Sequence, residues 1–473
     1  MQIIDHIYID GAFVTPHGDE RFDLFNPSTE QVIGQVRLAD ADDARDAIAA
    51  ARRAFPAFSR TDKAERVEML RRLHAAVAAK EDELFDAIVD EYGAPVSRGR
   101  WMARHASDVL LHAARTLENY PFVRRAGSAD VVMHPLGVAG LITPWNSNAG
   151  FICGKLAAAL AAGCTAVIKP SEMSATQTRV VTEALHEAGL PPGVFNIVTG
   201  RGETVGAEIC SHPDVAKLSF TGSTAVGKTI LRTAADTLKR VTLELGGKSP
   251  MIVLDDANFD EAVPLALEAG FMNSGQACIA GSRILVPRAR LAEFEEKIAH
   301  AVAEFHSGDP RDPHTRIGPM VSRKQWDRVQ HYIRVGIDEG ARVVAGGAGR
   351  PHGVDAGWFV RPTLFSDVRN DMTIARDEIF GPVLSIIPYR DTEDAIAIAN
   401  DTRYGLQAYV CGSDAARATE VAAQIEAGRV LVNTLAHEPA APFGGFKQSG
   451  IGREYGTFGI DAFLEPKALL RAV

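Results

Sequence analysis

Apolar and polar positions along this chain fall into three rhythms. Over the first 35 residues short apolar runs alternate with turn residues. Ile7-Tyr8-Ile9 precedes Asp10-Gly11, and residues 22–36 are broken by Asn26-Pro27. This predicts short strands. From residue 39 to about 120 the apolar positions recur at i, i+3 and i+4 through residues 64–89 and 97–117, with Arg, Glu and Asp between them. This predicts surface helices without chemistry, the first capped by Asp40 or Asp42. Residues 120–134 break that rhythm with Phe122-Val123-Arg124-Arg125, a Gly127-Ser128 turn and Val131-Val132-Met133. A hairpin there needs something to pair with and is a candidate subunit contact.

From Gly137 onward strand-like and helix-like segments alternate. Strands are expected at residues 138–142, 166–169, 195–198, 217–220 and 241–245, and helices at 149–162, 175–188, 203–210 and 224–235. That alternation predicts an α/β fold with a doubly wound parallel sheet, which binds ligands at the carboxyl ends of its strands. A second alternating region runs from 251–254 through 259–272, 284–287, 289–306, 322–339 and 341–345 to 383–389, 392–398, 407–410, 415–425 and 429–432. Residues 460–470 read as a strand again, able to pair with the hairpin or another subunit.

Composition narrows the picture. A chain of 473 residues exceeds one core and implies two or three domains. The net charge of -10, with no Lys/Arg run, argues against nucleic acid and membrane partners. Five scattered cysteines without a CxxC pair argue against a disulfide framework or a metal site and fit a reducing, cytoplasmic compartment. The N-terminus lacks signal-peptide character, and the longest apolar run, 156–168, is shorter than the roughly 20 residues of a membrane span.

Candidate chemistry gathers at the predicted strand ends. Thr143-Pro144-Trp145-Asn146 offers an amide donor for an oxyanion, and Lys169-Pro170-Ser171-Glu172 offers a Lys and a carboxylate for a ribose. A carboxylate at Glu172 would repel a 2′-phosphate, favouring NAD over NADP. In Ser219-Phe220-Thr221-Gly222-Ser223 a Gly turn opens a helix, whose free N–H groups suit a diphosphate. Glu244 sits in an apolar strand before Gly246-Gly247, where a raised pKa would make it a general base. Thr199-Gly200-Arg201-Gly202 lacks the spacing of a dinucleotide fingerprint and reads as an ordinary strand-to-helix turn. Gly275-Gln276-Ala277-Cys278 places a thiol among small residues, which leave space for a substrate. Taken singly, each motif has an ordinary structural explanation: a surface turn, an ion pair, a buried cysteine.

Together they carry a resemblance. Pro144-Trp145-Asn146, Lys169-Pro170-Ser171-Glu172, Phe220-Thr221-Gly222-Ser223, Glu244-Leu245-Gly246-Gly247-Lys248, Gly275-Gln276-x-Cys278, Glu378-Ile379-Phe380-Gly381-Pro382-Val383 and Pro442-Phe443-Gly444-Gly445 follow in this order. The chain resembles the NAD(P)-dependent aldehyde dehydrogenase superfamily over nearly its whole length. The resemblance implies an NAD-binding domain over residues 1–118 and 136–246, a catalytic domain over 247–447, and an oligomerisation element over 119–135 and 448–473, building a homodimer or homotetramer. It implies Cys278 as nucleophile, Glu244 as base, and Asn146 with the Cys278 N–H as oxyanion hole. Lys169 and Glu172 would hold the adenosine ribose. Gly222 and Ser223 would meet the diphosphate, Glu378 the nicotinamide ribose, and Trp145 and Phe380 the cofactor near the nicotinamide. Glu454 matches a carboxylate that assists proton relay in some members.

The implied activity is oxidation of an aldehyde to a carboxylic acid through a Cys278 thioester. The alternatives are acyl transfer to coenzyme A, whose enzymes typically lack a carboxylate at position 244, and a non-catalytic dinucleotide-binding protein. By the same resemblance the helix after Asn146 lines the aldehyde tunnel. Ser147, Gly150, Phe151 and Gly154 then predict a roomy one, with Met272, Ala277, Ile279 and the loop 435–439 at its mouth. The loop 434–441 has no Phe, Tyr or Trp, which disfavours a cationic aldehyde needing an aromatic cage.

Overall fold

A computed structural model describes residues 2–471. Two sheets dominate. The first has eight strands, and its parallel centre runs, from edge to edge, Arg240–Glu244, Val215–Thr221, Val138–Ile142, Thr165–Lys169 and Phe195–Ile197. Gly450–Ile451 adds an antiparallel strand at one edge, and Ile7–Ile9 with Ala12–Val14 extends the other. The chain enters at Val138–Ile142 and builds outward on both sides. The crevice of a doubly wound sheet therefore opens between that strand and Val215–Thr221.

All five residues of Val138–Ile142 and of Thr165–Lys169 are buried. The period of two sends neighbours to opposite layers. Leu141 and Ile168 join Leu156 and Leu160 of the helix Asn148–Ala162, whereas Val138 and Val167 join Ala44 and Ile48 of the helix Ala41–Phe58. Asp40 caps that second helix, accepting from the N–H groups of Asp42 and Asp43.

The second sheet has seven strands, parallel apart from Arg342–Ala345 at one edge, with Val383–Tyr389, Arg283–Pro287 and Pro250–Val253 in the middle. It repeats the two-sided burial: Ile252 and Leu285 face one core, Met251 and Ile284 the other. A third sheet pairs the hairpin Val123–Ala126 and Ala129–Pro135 with Leu464–Leu469. The C-terminal strand thus pairs with the hairpin within one chain. Residues 460–470 are not strand throughout, because Gly456–Asp461 is helical before Leu464–Leu469 begins.

Two further readings need correction. The pattern gave no strand at Thr363–Ser366, which pairs between Arg342–Ala345 and Val383–Tyr389. Four residues between Pro362 and Asp367 are too few to show a period. The helix Val96–Glu118 is not merely superficial. It buries Met102, Ala106, Leu110 and Leu117 against the rest of the fold, and its first turns face the cavity described below.

Arg283 joins the cysteine segment to the second sheet. Its side chain is wholly buried and donates to the carbonyls of Lys248 (3.0 Å), Ile398 (3.0 Å) and Ala399 (2.9 Å) and to the Asn370 side chain (3.0 Å). Replacing it with an apolar residue strands these acceptors out of water. Arg283→Met is expected to lower the thermal midpoint by about 2–5 °C, from a few kcal/mol at roughly 1 °C each for a chain of this length. A midpoint within a degree of wild type would show that the acceptors find other partners.

Candidate active site

The helix Phe259–Phe271 stops because the next residues turn left-handed in succession: Asn273 at φ 57°, Ser274 at 58° and Gly275 at 73°. Non-glycine residues reach this region only when their surroundings hold them there. Asn273 Nδ2 donates to the Asn146 carbonyl at 3.0 Å, Ser274 Oγ accepts from the Gly318 N–H at 2.9 Å, and the Gln276 amide bridges the Pro319 carbonyl (3.2 Å) and the Val321 N–H (3.0 Å). Gly275 can only be glycine: besides its φ, a Cβ there would run into the Gly381 carbonyl.

The turn delivers Cys278, half-buried where the other four cysteines are fully buried. Burial first, then the carboxyls of Glu378 and Glu244, push its thiol up to about 12, while its own N–H and that of Ile279 act the other way.

Glu244 ends the strand Arg240–Glu244. It is buried, and neither carboxyl oxygen has a hydrogen-bond partner among the described residues. Burial and then Glu454 hold its pKa well above 4.5, against the pull of Lys155 and Arg453. Asn146 is also buried, and its Nδ2 donates to the Gln276 carbonyl at 2.9 Å. Gly247 lets the base and cysteine segments meet, since a Cβ there would strike the Cys278 carbonyl. The Gly247 N–H donates to Glu378 Oε1 at 3.0 Å; burial raises Glu378 to about 7. Phe380, itself at φ 64°, stands edge-on to Trp145 with ring centres 5.5 Å apart. Trp145, Asn146, Glu244, Cys278, Glu378 and Phe380 thus come together from both sheets.

A second group lies along the strand ends of the first sheet. Lys169 Nζ is 3.2 Å from Glu172, and Arg201 reaches the other Glu172 oxygen at 3.4 Å. Burial pushes Glu172 up, but Lys169 and Arg201 outweigh it and leave the carboxyl below its ordinary value. Ser223 caps the helix Thr224–Ala235, accepting from the Val226 N–H at 3.3 Å, and the Gly222 N–H donates to the Glu244 carbonyl at 3.0 Å. That bond ties the two groups together. The run Gly202–Gly206 is a single π-helical turn leading into a short helix, as a strand-to-helix connection should be.

Sequence reasoning missed several residues. Arg201 lies in the glycine turn that reads as an ordinary connection, yet it touches Glu172. Lys155 lies inside an apolar helix, buried, with Nζ 2.5 Å from Glu454 and 2.9 Å from Ser219 Oγ. A lysine in such a run was the available signal.

Cys278 opens on a cavity of about 110 Å³, which Ser147, Gly150, Phe151, Met272, Ala277 and Ile279 line as expected. Gly154 does not. It faces a separate space of about 50 Å³ beside Lys155 and Glu454, because it lies a full turn further along the helix. The room inferred from Gly154 is therefore not at the aldehyde entrance. Aromatic rings do surround the Cys278 cavity, but Trp101, Phe151, Phe443 and Tyr455 supply them rather than the loop 434–441. A cationic ligand is disfavoured instead by Arg98 and Arg429, which share the lining.

The model of the aldehyde dehydrogenase family matches residues 13–469. The chain is 46% identical over 465 residues to a 3-succinoylsemialdehyde-pyridine dehydrogenase of Pseudomonas sp., covering 98% of each. Aldehyde dehydrogenase C of Pseudomonas syringae, solved as a cysteine-to-alanine mutant with NAD+ and octanal, superposes at a TM-score of 0.97 with 45% identity, covering 98% of this chain and 96% of that one. An aldehyde dehydrogenase of Mycobacterium tuberculosis complexed with NAD+ superposes at 0.96 with 40% identity, covering 100% and 99%. By its folded core, its ordered motifs and these likenesses, the chain belongs to the aldehyde dehydrogenase family.

Proposed function

We propose that the protein oxidises an aldehyde to a carboxylic acid with NAD+ as hydride acceptor. The observation that carries this reading is the pair of a Cys278 thiol opening on a cavity and a buried Glu244 carboxyl, without a hydrogen-bond partner among the described residues, near enough to act on that thiol. The NAD+ held by related structures supports the cofactor, and the octanal in one of them supports the substrate class.

The crevice fits the cofactor. A capped helix N-terminus at Ser223 can receive a diphosphate. Lys169 and Glu172, paired at a strand end, are suited to hold a ribose, with Glu172 opposing a 2′-phosphate. Glu378 and the Trp145–Phe380 pair lie on the side toward Cys278. When bound, NAD+ supplies the acceptor for the hydride.

The Cys278 sulfur, its proton passed to solvent, adds to the aldehyde carbon. Asn146 Nδ2 and the Cys278 N–H hold the resulting oxyanion; one such donor is worth roughly 3–4 kcal/mol. The thiohemiacetal gives up hydride and becomes a thioester. Glu244 takes a proton from water as that water attacks, releasing the acid and the thiol. Once ionised, a Glu244 carboxylate without hydrogen-bond partners among the described residues is free to accept that proton, which favours hydrolysis over transfer to coenzyme A.

The same reading assigns cofactor binding to residues 1–118 and 136–246, and catalysis to 247–447. It assigns assembly as a dimer or tetramer to the hairpin sheet, whose two outer strands lack a neighbour on one side among the described residues. Of the expected assembly segment 448–473, Gly450–Ile451 belongs to the first sheet, leaving Leu464–Leu469 for this role. No described helix is long and apolar enough to cross a membrane. The unpaired cysteines fit a cytoplasmic protein.

Mixing enzyme, NAD+ and aldehyde in a stopped-flow instrument should give a burst of NADH. Cys278→Ala should abolish it. Glu244→Gln should keep the burst while steady turnover falls about 10²- to 10⁴-fold. A Cys278→Ala protein that still forms NADH would end this assignment.

Steady turnover should rise with pH, because Glu244 acts as its anion and that anion is disfavoured until well above pH 4.5. If hydrolysis is pH-independent from 5 to 8, Glu244 is not the base. Measuring the burst and steady phases separately keeps Cys278, whose thiol is also pushed up, out of this comparison.

Glu172→Ser leaves Lys169 and Arg201 facing the ribose without their carboxylate. The ratio of kcat/KM for NADP+ to that for NAD+ should then rise about tenfold or more. An unchanged ratio would place cofactor selection elsewhere.

A further inference from the structure

Two guanidinium groups line the cavity that holds Cys278. Arg98 Nε is buried without a hydrogen-bond partner, and the group lies 4.0 Å over the Trp101 ring. Arg429 stands 5.6 Å from the centre of the Phe443 ring. Among the described residues neither arginine has a carboxylate within the 4.0 Å of an ion pair. Most arginines of this chain do have one; Arg124, Arg201, Arg311 and Arg417 are examples.

The other titratable groups facing the cavity leave this charge uncompensated. Burial first, then His437, Arg98 and His112, lower His105 to about 3, and burial with Arg429 lowers His437. Both imidazoles are then neutral at pH 7. Cys278 and Glu244 are held toward their uncharged forms. Glu438 acts on Arg429 and His437 only at longer range, and its Oε1 accepts from the Ala440 N–H at 2.8 Å.

Arg98, Trp101 and His105 lie at i, i+3 and i+7 on one helix, so they form one stripe toward the cavity. A partly buried guanidinium that meets no carboxylate is stabilised when an anion joins it, and its planar fork matches a carboxylate.

We propose that this cavity selects aldehydes that carry a carboxylate at the far end of a short chain, ω-oxo acids. Arg98 and Arg429 take the carboxylate while Cys278 takes the aldehyde carbon. The product is a dicarboxylate. This inference rests on the aldehyde oxidation proposed above and deepens it. The 110 Å³ of the cavity keeps the chain short.

The test compares 4-oxobutanoate, its methyl ester and butanal as substrates of the full-length enzyme with NAD+. The oxo acid should exceed the ester in kcat/KM by about 10- to 100-fold, the range of a charge-assisted pair. Arg98→Met and Arg429→Met should collapse the acid-to-ester ratio toward one, mainly through KM for the acid. Calorimetric titration of Cys278→Ala with 4-oxobutanoate and with the ester supplies a binding readout that needs no turnover, and should show the same preference.

An oxo acid used no better than its ester, or an unchanged ratio in both arginine variants, overturns the inference while turnover of butanal keeps the proposed oxidation intact. If no aldehyde yields NADH, both fall. If the variants do not fold, the wild-type ratio and the Cys278→Ala titration still decide.

Discussion

Two close backbone approaches carry the architecture of the site. The chain at Gly275 passes so near Gly381, and Gly247 so near the Cys278 carbonyl, that a single Cβ at either glycine would separate them. These contacts join the cysteine turn to the segments bearing Glu244 and Glu378. Both require the left-handed run Asn273–Gly275, in which each non-glycine residue costs about 1–2 kcal/mol. The hydrogen bonds from Asn273, Ser274 and Gln276 offset that cost and tie the turn to Asn146 and to residues 318–321. The turn is held by many partners because it is not a conformation the chain would choose.

Around this turn, charge is distributed by exclusion from water. Glu244 has no partner, whereas Glu454, which lies near it, is paired with Lys155. Two carboxyl groups in one neighbourhood thus have opposite environments, and the unpartnered one is the one suited to carry a proton. The cavity at Cys278 carries two guanidiniums without a carboxylate partner among the described residues, and neutral imidazoles. The proposed chemistry and the proposed selectivity use the same device: a group kept from its usual partner so that a substrate or water can become that partner.

Much of the fold is legible along the chain. Strands buried on both faces, such as Val138–Ile142 and Thr165–Lys169, must be apolar throughout, and the alternation with amphipathic helices marks a parallel sheet. Thr363–Ser366 escapes because a four-residue strand has no period to display. The site is legible where a motif is contiguous, as at Asn146, Glu244 and Cys278. Arg98 and His105 sit in a helix whose charged positions look like any solvated face, and pattern alone cannot tell solvent from a cavity. Gly154 fails in reverse: one helical turn separates it from the lining residues Gly150 and Phe151, enough to point it into another space.

The sequence by itself determined the α/β alternation, the placing of the motifs at strand ends, and which residues carry the candidate chemistry, because each of these depends on local period and residue type. Only the tertiary structure decided that Arg201 meets Glu172, that Glu454 pairs with Lys155, and that Arg98 and Arg429 share a cavity with Cys278. The physical reason is separation along the chain. Residues 98, 278 and 429 become neighbours only when a helix, a turn and a strand from distant segments pack together. Whether a charge finds a partner there depends on that packing and not on its own neighbours in sequence.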